Sequence, residues 1–154
     1  MPKRKNGRNK KSQVSSTEIL RKKRHYFFLN PYEDCAFTRC PKCTSKTMIR
    51  KFPLVIHIEP KQLLCQNKHC RYCTRCDLII AKKSEVESLM AAKFETANPS
   101  VIGNEYLVFG TLDKKDWRQY SKVPEDPGEV IEQVHVFKDV WNFELVYGGW
   151  GRDG

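Results

Sequence analysis

Cys40-Pro41-Lys42-Cys43 and Cys73-Thr74-Arg75-Cys76 are two CxxC pairs with 29 residues between them, and the chain inside that interval is rich in β-branched residues. Four thiolates at this spacing can close around one Zn²⁺, and the interval is long enough for a hairpin. The pattern predicts a zinc ribbon: a small antiparallel sheet with both knuckles at one end and one structural Zn²⁺ on Cys40, Cys43, Cys73 and Cys76.

Cys70-Arg71-Tyr72-Cys73 overlaps the second pair, which makes Cys70 an alternate ligand. The residue after a knuckle's second cysteine often needs positive φ, and Asp77 tolerates that better than the β-branched Thr74. This favours Cys73 with Cys76, although Thr44 after Cys43 runs against the same preference. Cys35, Cys65 and Cys70 are then left as small buried thiols, with a second metal on Cys65, Cys70 and either His57 or His69 as the alternative. His57, inside the apolar run 55–58, reads as a strand histidine. An odd number of cysteines, all between positions 35 and 76, fits a metal cage in a reducing compartment better than a disulfide framework.

Outward from the knuckles, KTMIRKFPLVIHIEP (46–60) reads as a strand, with Pro53 marking an edge or a bulge. Pro60 and Lys61 turn the chain, Leu63 and Leu64 lead it back, and DLIIAKK (77–83) is a returning strand. Upstream, the apolar run 26–29 starts the folded part. Downstream, Ser84 and Glu87 form a capping box before Val86, Leu89, Met90 and Phe94, which share a helical face that Asn98-Pro99 ends. A strand at 105–113 follows, then a short helix capped by Asp113. Val130, Val134, Phe137 and Trp141 recur at helical spacing, and 142–147 alternates like a strand. The fold class is α+β in three parts: a disordered basic tail (1–25), the zinc ribbon (26–83), and an acidic α+β module packed on the ribbon (84–154).

The formal charge of +10 is unevenly spread, with +9 on residues 1–25, −2 on 26–34, +9 on 35–83 and −6 on 84–154. Residues 1–14 carry a block of like charge and almost no apolar side chain, so they cannot offset the entropy of ordering. Such polarity orients a polyanion toward the tail and ribbon, or draws the two halves of the chain together. No run of 18 apolar residues is present, and the basic start lacks an apolar segment. The chain is therefore expected to be cytoplasmic, with neither a membrane span nor a secretory signal.

The pattern from LNPYEDCAFTRCPKC (29–43) through 46–60, CRYCTRCDLIIAKK (70–83) and IGNEYLVFGTLDKKDWR (102–118) resembles an uncharacterised family of small bacterial zinc-ribbon proteins. The resemblance covers about residues 26–120. It implies a metal site on Cys40, Cys43, Cys73 and Cys76 and implies no particular activity. Cys70 belongs to the family pattern, whereas Cys35 and Cys65 do not. More broadly, the knuckles are similar to zinc ribbons of transcription and translation proteins, which bind nucleic acid or dock on polymerases and ribosomes.

Nucleic acid, with RNA or a ribonucleoprotein complex favoured, is the partner that the charge predicts. Lys3, Arg4, Lys5, Arg8, Lys10, Lys11, Arg21, Lys22, Lys23 and Arg24 supply tail cations, and Lys42, Arg71 and Arg75 supply them at the knuckles. Lys46, Arg50, Lys51, Lys68, Lys82 and Lys83 extend the set. Tyr72, beside Arg71, either stacks on an unpaired base or packs against its knuckle. The alternative is a zinc-stabilised protein–protein interaction module, anchored by Trp117, Trp141 or Trp150. Catalysis is not expected, because four cysteines leave no open coordination position and no HExxH, P-loop, GxSxG or deaminase pattern occurs.

Overall fold

A computed structural model of the chain describes residues 21–120 and 127–145. The tail cations Lys3, Arg4, Lys5, Arg8, Lys10 and Lys11 lie outside the described residues, as do Trp150 and the end of the strand expected at 142–147.

The β-branched run after the first knuckle forms β2 (Met48–Ile58), which turns at 59–61 into β3 (Gln62–Cys73). The two pair antiparallel from Met48 opposite Tyr72 to Ile58 opposite Gln62. Pro53, opposite Asn67 of β3, sits just beyond the end of the β2–β5 ladder, where its carbonyl accepts the Leu112 N–H at 2.9 Å and no N–H is needed. β4 (Leu78–Lys82) returns antiparallel to β3, and β1 (Tyr26–Asn30) lies parallel to β4. On the other flank β5 (Tyr106–Thr111) pairs antiparallel with β2, across a bulge at Val55/Ile56.

Two short strands complete the order β6-β5-β2-β3-β4-β1-β7: β6 (His135–Val136) on β5 and β7 (Asp139–Val140) on β1. Only Phe137 and Lys138 separate β6 from β7, so the two ends of the strand order are neighbours in the chain and the sheet closes on itself. Phe137 N–H donates to the Phe109 carbonyl at 3.0 Å and Trp141 N–H to that of Phe27 at 2.7 Å, which bonds the seam from both sides. At the seam a side chain on Gly110 would put its Cβ 2.5 Å from both the His135 carbonyl oxygen and Val134 Cγ1, so this strand contact requires glycine. The sheet is mixed rather than purely antiparallel, and strands from 26–83 and from 84–154 share it.

Alternation along the strands sorts the apolar residues onto the two faces. Leu54, Ile56, Ile58, Leu64, Cys70, Tyr72, Ile79, Phe27, Val108 and Phe137 form one buried cluster inside the closed sheet. Helix α1 (Lys83–Ala97) adds Val86 and Phe94 to it. Residues of opposite parity make two outer clusters. Val55, Leu63 and Cys65 pack with Leu112, Val130 and Val134, while Phe28, Leu78, Ile80 and Cys73 pack with Phe37 and Cys40.

The helices depart from expectation at their ends. Lys82, not Ser84, is the N-cap of α1 and makes no side-chain capping bond. Glu87 instead pairs with Lys83 at 2.9 Å and accepts the Tyr106 hydroxyl at 2.7 Å. Asp113 does precede α2 (Lys114–Gln119), but its carboxylate binds Arg21, Arg24 and His135 rather than the helix N-terminus. A helix through 130–141 does not form. α3 (Pro127–Ile131) stops early, and Val134, Phe137 and Trp141 each serve a different apolar cluster. Residues 142–145 are not a strand.

The candidate metal centre

Each knuckle is a tight turn whose end enters the left-handed region. Thr44, after Cys43, has φ +64°, and Asp77, after Cys76, has φ +57°. Thr44 N–H donates to the Cys40 carbonyl at 2.9 Å, and Cys40 N–H to that of Ser45 at 2.8 Å. Two sulfurs also accept backbone N–H groups: Cys40 Sγ from Lys42 at 3.3 Å and Cys73 Sγ from Cys76 at 3.4 Å. Such bonds favour the thiolate.

The four Sγ atoms of Cys40, Cys43, Cys73 and Cys76 all lie within 4.8 Å of one another. Cys40 and Cys76 sulfurs are 4.0 Å apart, and those of Cys43 and Cys73 are 3.5 Å apart. A tetrahedron with metal–sulfur bonds of about 2.3 Å has edges of roughly 3.8 Å, between these two values. The cluster can hold one metal ion.

Burial drives the Cys40 thiol above its ordinary value, and burial, followed by hydrogen bonding to Cys43, pushes Cys76 up to about 12. Cys43 is lowered to about 6 by its hydrogen bonds to the Ser45 side chain and backbone. A metal ion reverses this resistance to ionisation at Cys40 and Cys76 by taking the thiolates directly.

Asp77 fastens the second knuckle to the rest of the chain. Its carboxylate accepts the Tyr72 hydroxyl at 2.6 Å, lies 2.5 Å from His25 Nδ1 and takes Lys138 Nζ at 3.3 Å. Burial raises the acid, but the bonds from Tyr72 and His25, with Lys138, hold it below the usual range. Sequence reasoning missed this group, because His25 and Lys138 lie 52 and 61 residues from Asp77.

Cys70 lies outside the metal cluster, in the sheet interior, with its Sγ directed at the Lys68 carbonyl. Burial pushes its thiol, like that of Cys65, up to about 12. Cys65 and Cys70 point to opposite faces of β3, and among the described residues no second group of metal ligands forms around them or around His57 or His69. Cys35 packs beside the cluster of Phe28 and Phe37.

Tyr72 does not offer its ring to a base. It is 8% exposed, packs against Phe52 and His25, and lies under the Arg50 guanidinium. Lys68 is also withdrawn, with its ammonium 2.6 Å from Glu85. Arg21 binds Asp113, Asp116 and Gln133, and Arg24 binds Asp113 at 3.0 Å, so two tail cations are already paired with the acidic half. Lys22 and Lys23 are exposed. At the knuckles Lys42 and Arg75 are exposed and Arg71 is half-buried. Trp141 stacks on Tyr26 at 4.2 Å beneath the Lys42 ammonium, and Trp117 packs against the cluster of Val130 and Val134, so both indoles are engaged within the chain.

Comparison with protein-family models, with curated proteins and with solved structures finds no match for the chain. Among the described residues no helix is long and apolar enough to cross a membrane.

Proposed function

We propose that the chain is a noncatalytic zinc-ribbon protein that binds nucleic acid, with RNA or a ribonucleoprotein surface as its target. One observation supports this reading: exposed cations surround the four-cysteine cluster. Arg39, Lys42, Lys46 and Arg75 are exposed on the two knuckles, with Arg50 and Lys51 on the strand that leaves the first of them. Zn²⁺ is the ion that four closely spaced cysteines most commonly hold, and it leaves no position for a catalytic water. Its role is to fix the knuckles, and with them the cations that meet phosphate. The tail adds Lys3, Arg4, Lys5, Arg8, Lys10 and Lys11.

Salt dependence tests this reading. If about six phosphates of a duplex are contacted, log K falls with log[salt] at a slope of about −5. Deleting residues 1–20, which spares the ion pairs of Arg21 and Arg24, should flatten the slope. Affinity that ignores both salt and the deletion contradicts the proposal.

A protein-interaction module is the second reading, favoured by a separate feature. Leu107 is 56% exposed and Ile102 45% exposed beside apolar grooves of about 360 and 350 Å³ on the acidic half. A stoichiometric protein recovered after nuclease treatment would favour it.

A further inference from the structure

The outer face of the sheet is covered at both ends and exposed between them at Ile49, Lys51 and His69, with Arg71 half-buried. Toward the start of β3, Leu63 and Cys65 lie under the cluster of Val130 and Val134, and at its end Cys73 lies under the first knuckle. Between these covers the outward positions are Asn67, His69 and Arg71 on β3, opposite Pro53, Lys51 and Ile49 on β2. Ile80 continues the Arg71 row on β4, and Lys82 shares its parity. This face is thus cationic with one protruding apolar side chain, Ile49, which is 59% exposed.

A pocket opens in this face. The β3–β4 ladder ends at Arg71 opposite Ile80, and beyond that pair the strands separate. A cavity of about 270 Å³ occupies the space, with Ile49, Ile80 and Ala36 as apolar wall and His69, Arg71 and Lys82 as its basic groups. Its one acid, Glu85, is paired with Lys68, and the amide of Asn30, another lining residue, is engaged by the Cys35 carbonyl and the Tyr32 N–H. The opening therefore combines an apolar slot with basic side chains in its lining, the pairing of base contact and cationic groove that single-strand sites use.

We propose that this pocket receives one unpaired nucleotide of a single strand, with the base against Ile49 and Ala36 and its phosphate between Arg71 and Lys82. The proposal rests on the nucleic-acid reading above and adds a preference for single strands to it. It also gives the exposed Ile49 a role that general phosphate binding does not.

Binding of full-length protein to a fluorescent ten-nucleotide single strand, as RNA and as DNA, and to a duplex of the same sequence tests it by anisotropy. Ile49 makes no core contact, so Ile49→Ala leaves the fold intact, and Lys82→Gln removes one rim cation. Ile49→Ala should weaken single-strand binding on the order of five-fold and leave duplex binding unchanged. Lys82→Gln should lower both the single-strand affinity and its salt slope. Equal loss for single strand and duplex, or no loss from Ile49→Ala, overturns the pocket while the wider nucleic-acid reading stands. Wild-type protein that binds neither form overturns both.

Discussion

Cys70 and Cys73 are three residues apart on β3, and they show how differently the two faces of one strand are used. Cys70 points into the closed sheet among apolar neighbours such as Phe27, Ile56 and Phe94, where burial keeps its thiol protonated. Cys73 points outward, 3.5 Å from Cys43 Sγ, and accepts a backbone N–H from its own knuckle. Inside, Leu54, Ile56 and Leu64 are fully buried, and each such side chain contributes about 1.5–3 kcal/mol. Outside, residues 31–47 form no strand longer than the single bridge of Arg39 with Lys46, and beyond Phe37, Cys40 and Thr47 they bury little. The sheet is stabilised by apolar burial, whereas the knuckles bring together four cysteines that can hold a metal ion.

The largest effect should come from removing the metal. Structural zinc sites contribute on the order of 10 kcal/mol to the order of their ligand loops. Chelation should therefore release amide protection at residues 35–47 and 74–77 while β2, β3 and α1 keep theirs, as read by hydrogen exchange. Global unfolding on chelation would show that the sheet has no stability of its own and would erase the contrast. The opposite perturbation is Leu64→Ala, which leaves a cavity in the interior. It should cost about 3–4 kcal/mol in denaturant unfolding without changing metal content.

Gly110→Ala strikes the seam. Its new Cβ meets the His135 carbonyl and Val134, so the strand segment must shift, at a cost of about 2 kcal/mol. The smallest effect belongs to the acidic anchor of the basic segment. Burial raises Asp113, but His135, 3.3 Å away, with Arg24 and Arg21, holds its pKa below the usual value. The carboxylate's contribution is thus complete above the unfolded pKa, about pH 4, and is lost as pH falls through the lower folded value. Asp113→Asn should cost about 1 kcal/mol at neutral pH, because the pairs are partly solvated. It should also remove that part of the acid sensitivity.

Local chemistry was legible in the sequence, and closure was not. The CxxC spacing marked the four clustered cysteines, and the β-branched run with its turn marked β2 through β4. Asp77 was correctly placed in a left-handed position, and Thr44 adopts one too despite its branched side chain. The parallel pairing of β1 carried no signal, because a parallel partner can lie anywhere later in the chain. Val134, Phe137 and Trp141 mimicked a helix for a specific reason. Their segment crosses the seam, so these residues enter the outer, inner and second outer clusters in turn. Spacing of three to four residues arose from three separate burials rather than one face. Tyr72 beside Arg71 could stack on a base or pack against its knuckle on sequence alone, and strand parity turns its ring into the sheet interior instead.

Metal content is the most direct test of the two-face account, measured by elemental analysis on wild-type protein and on Cys43→Ser, Cys76→Ser and Cys70→Ser. The account predicts one zinc per chain, lost in the first two variants and retained in Cys70→Ser. Two zinc ions per chain, none, or loss of zinc on replacing Cys70 would contradict it.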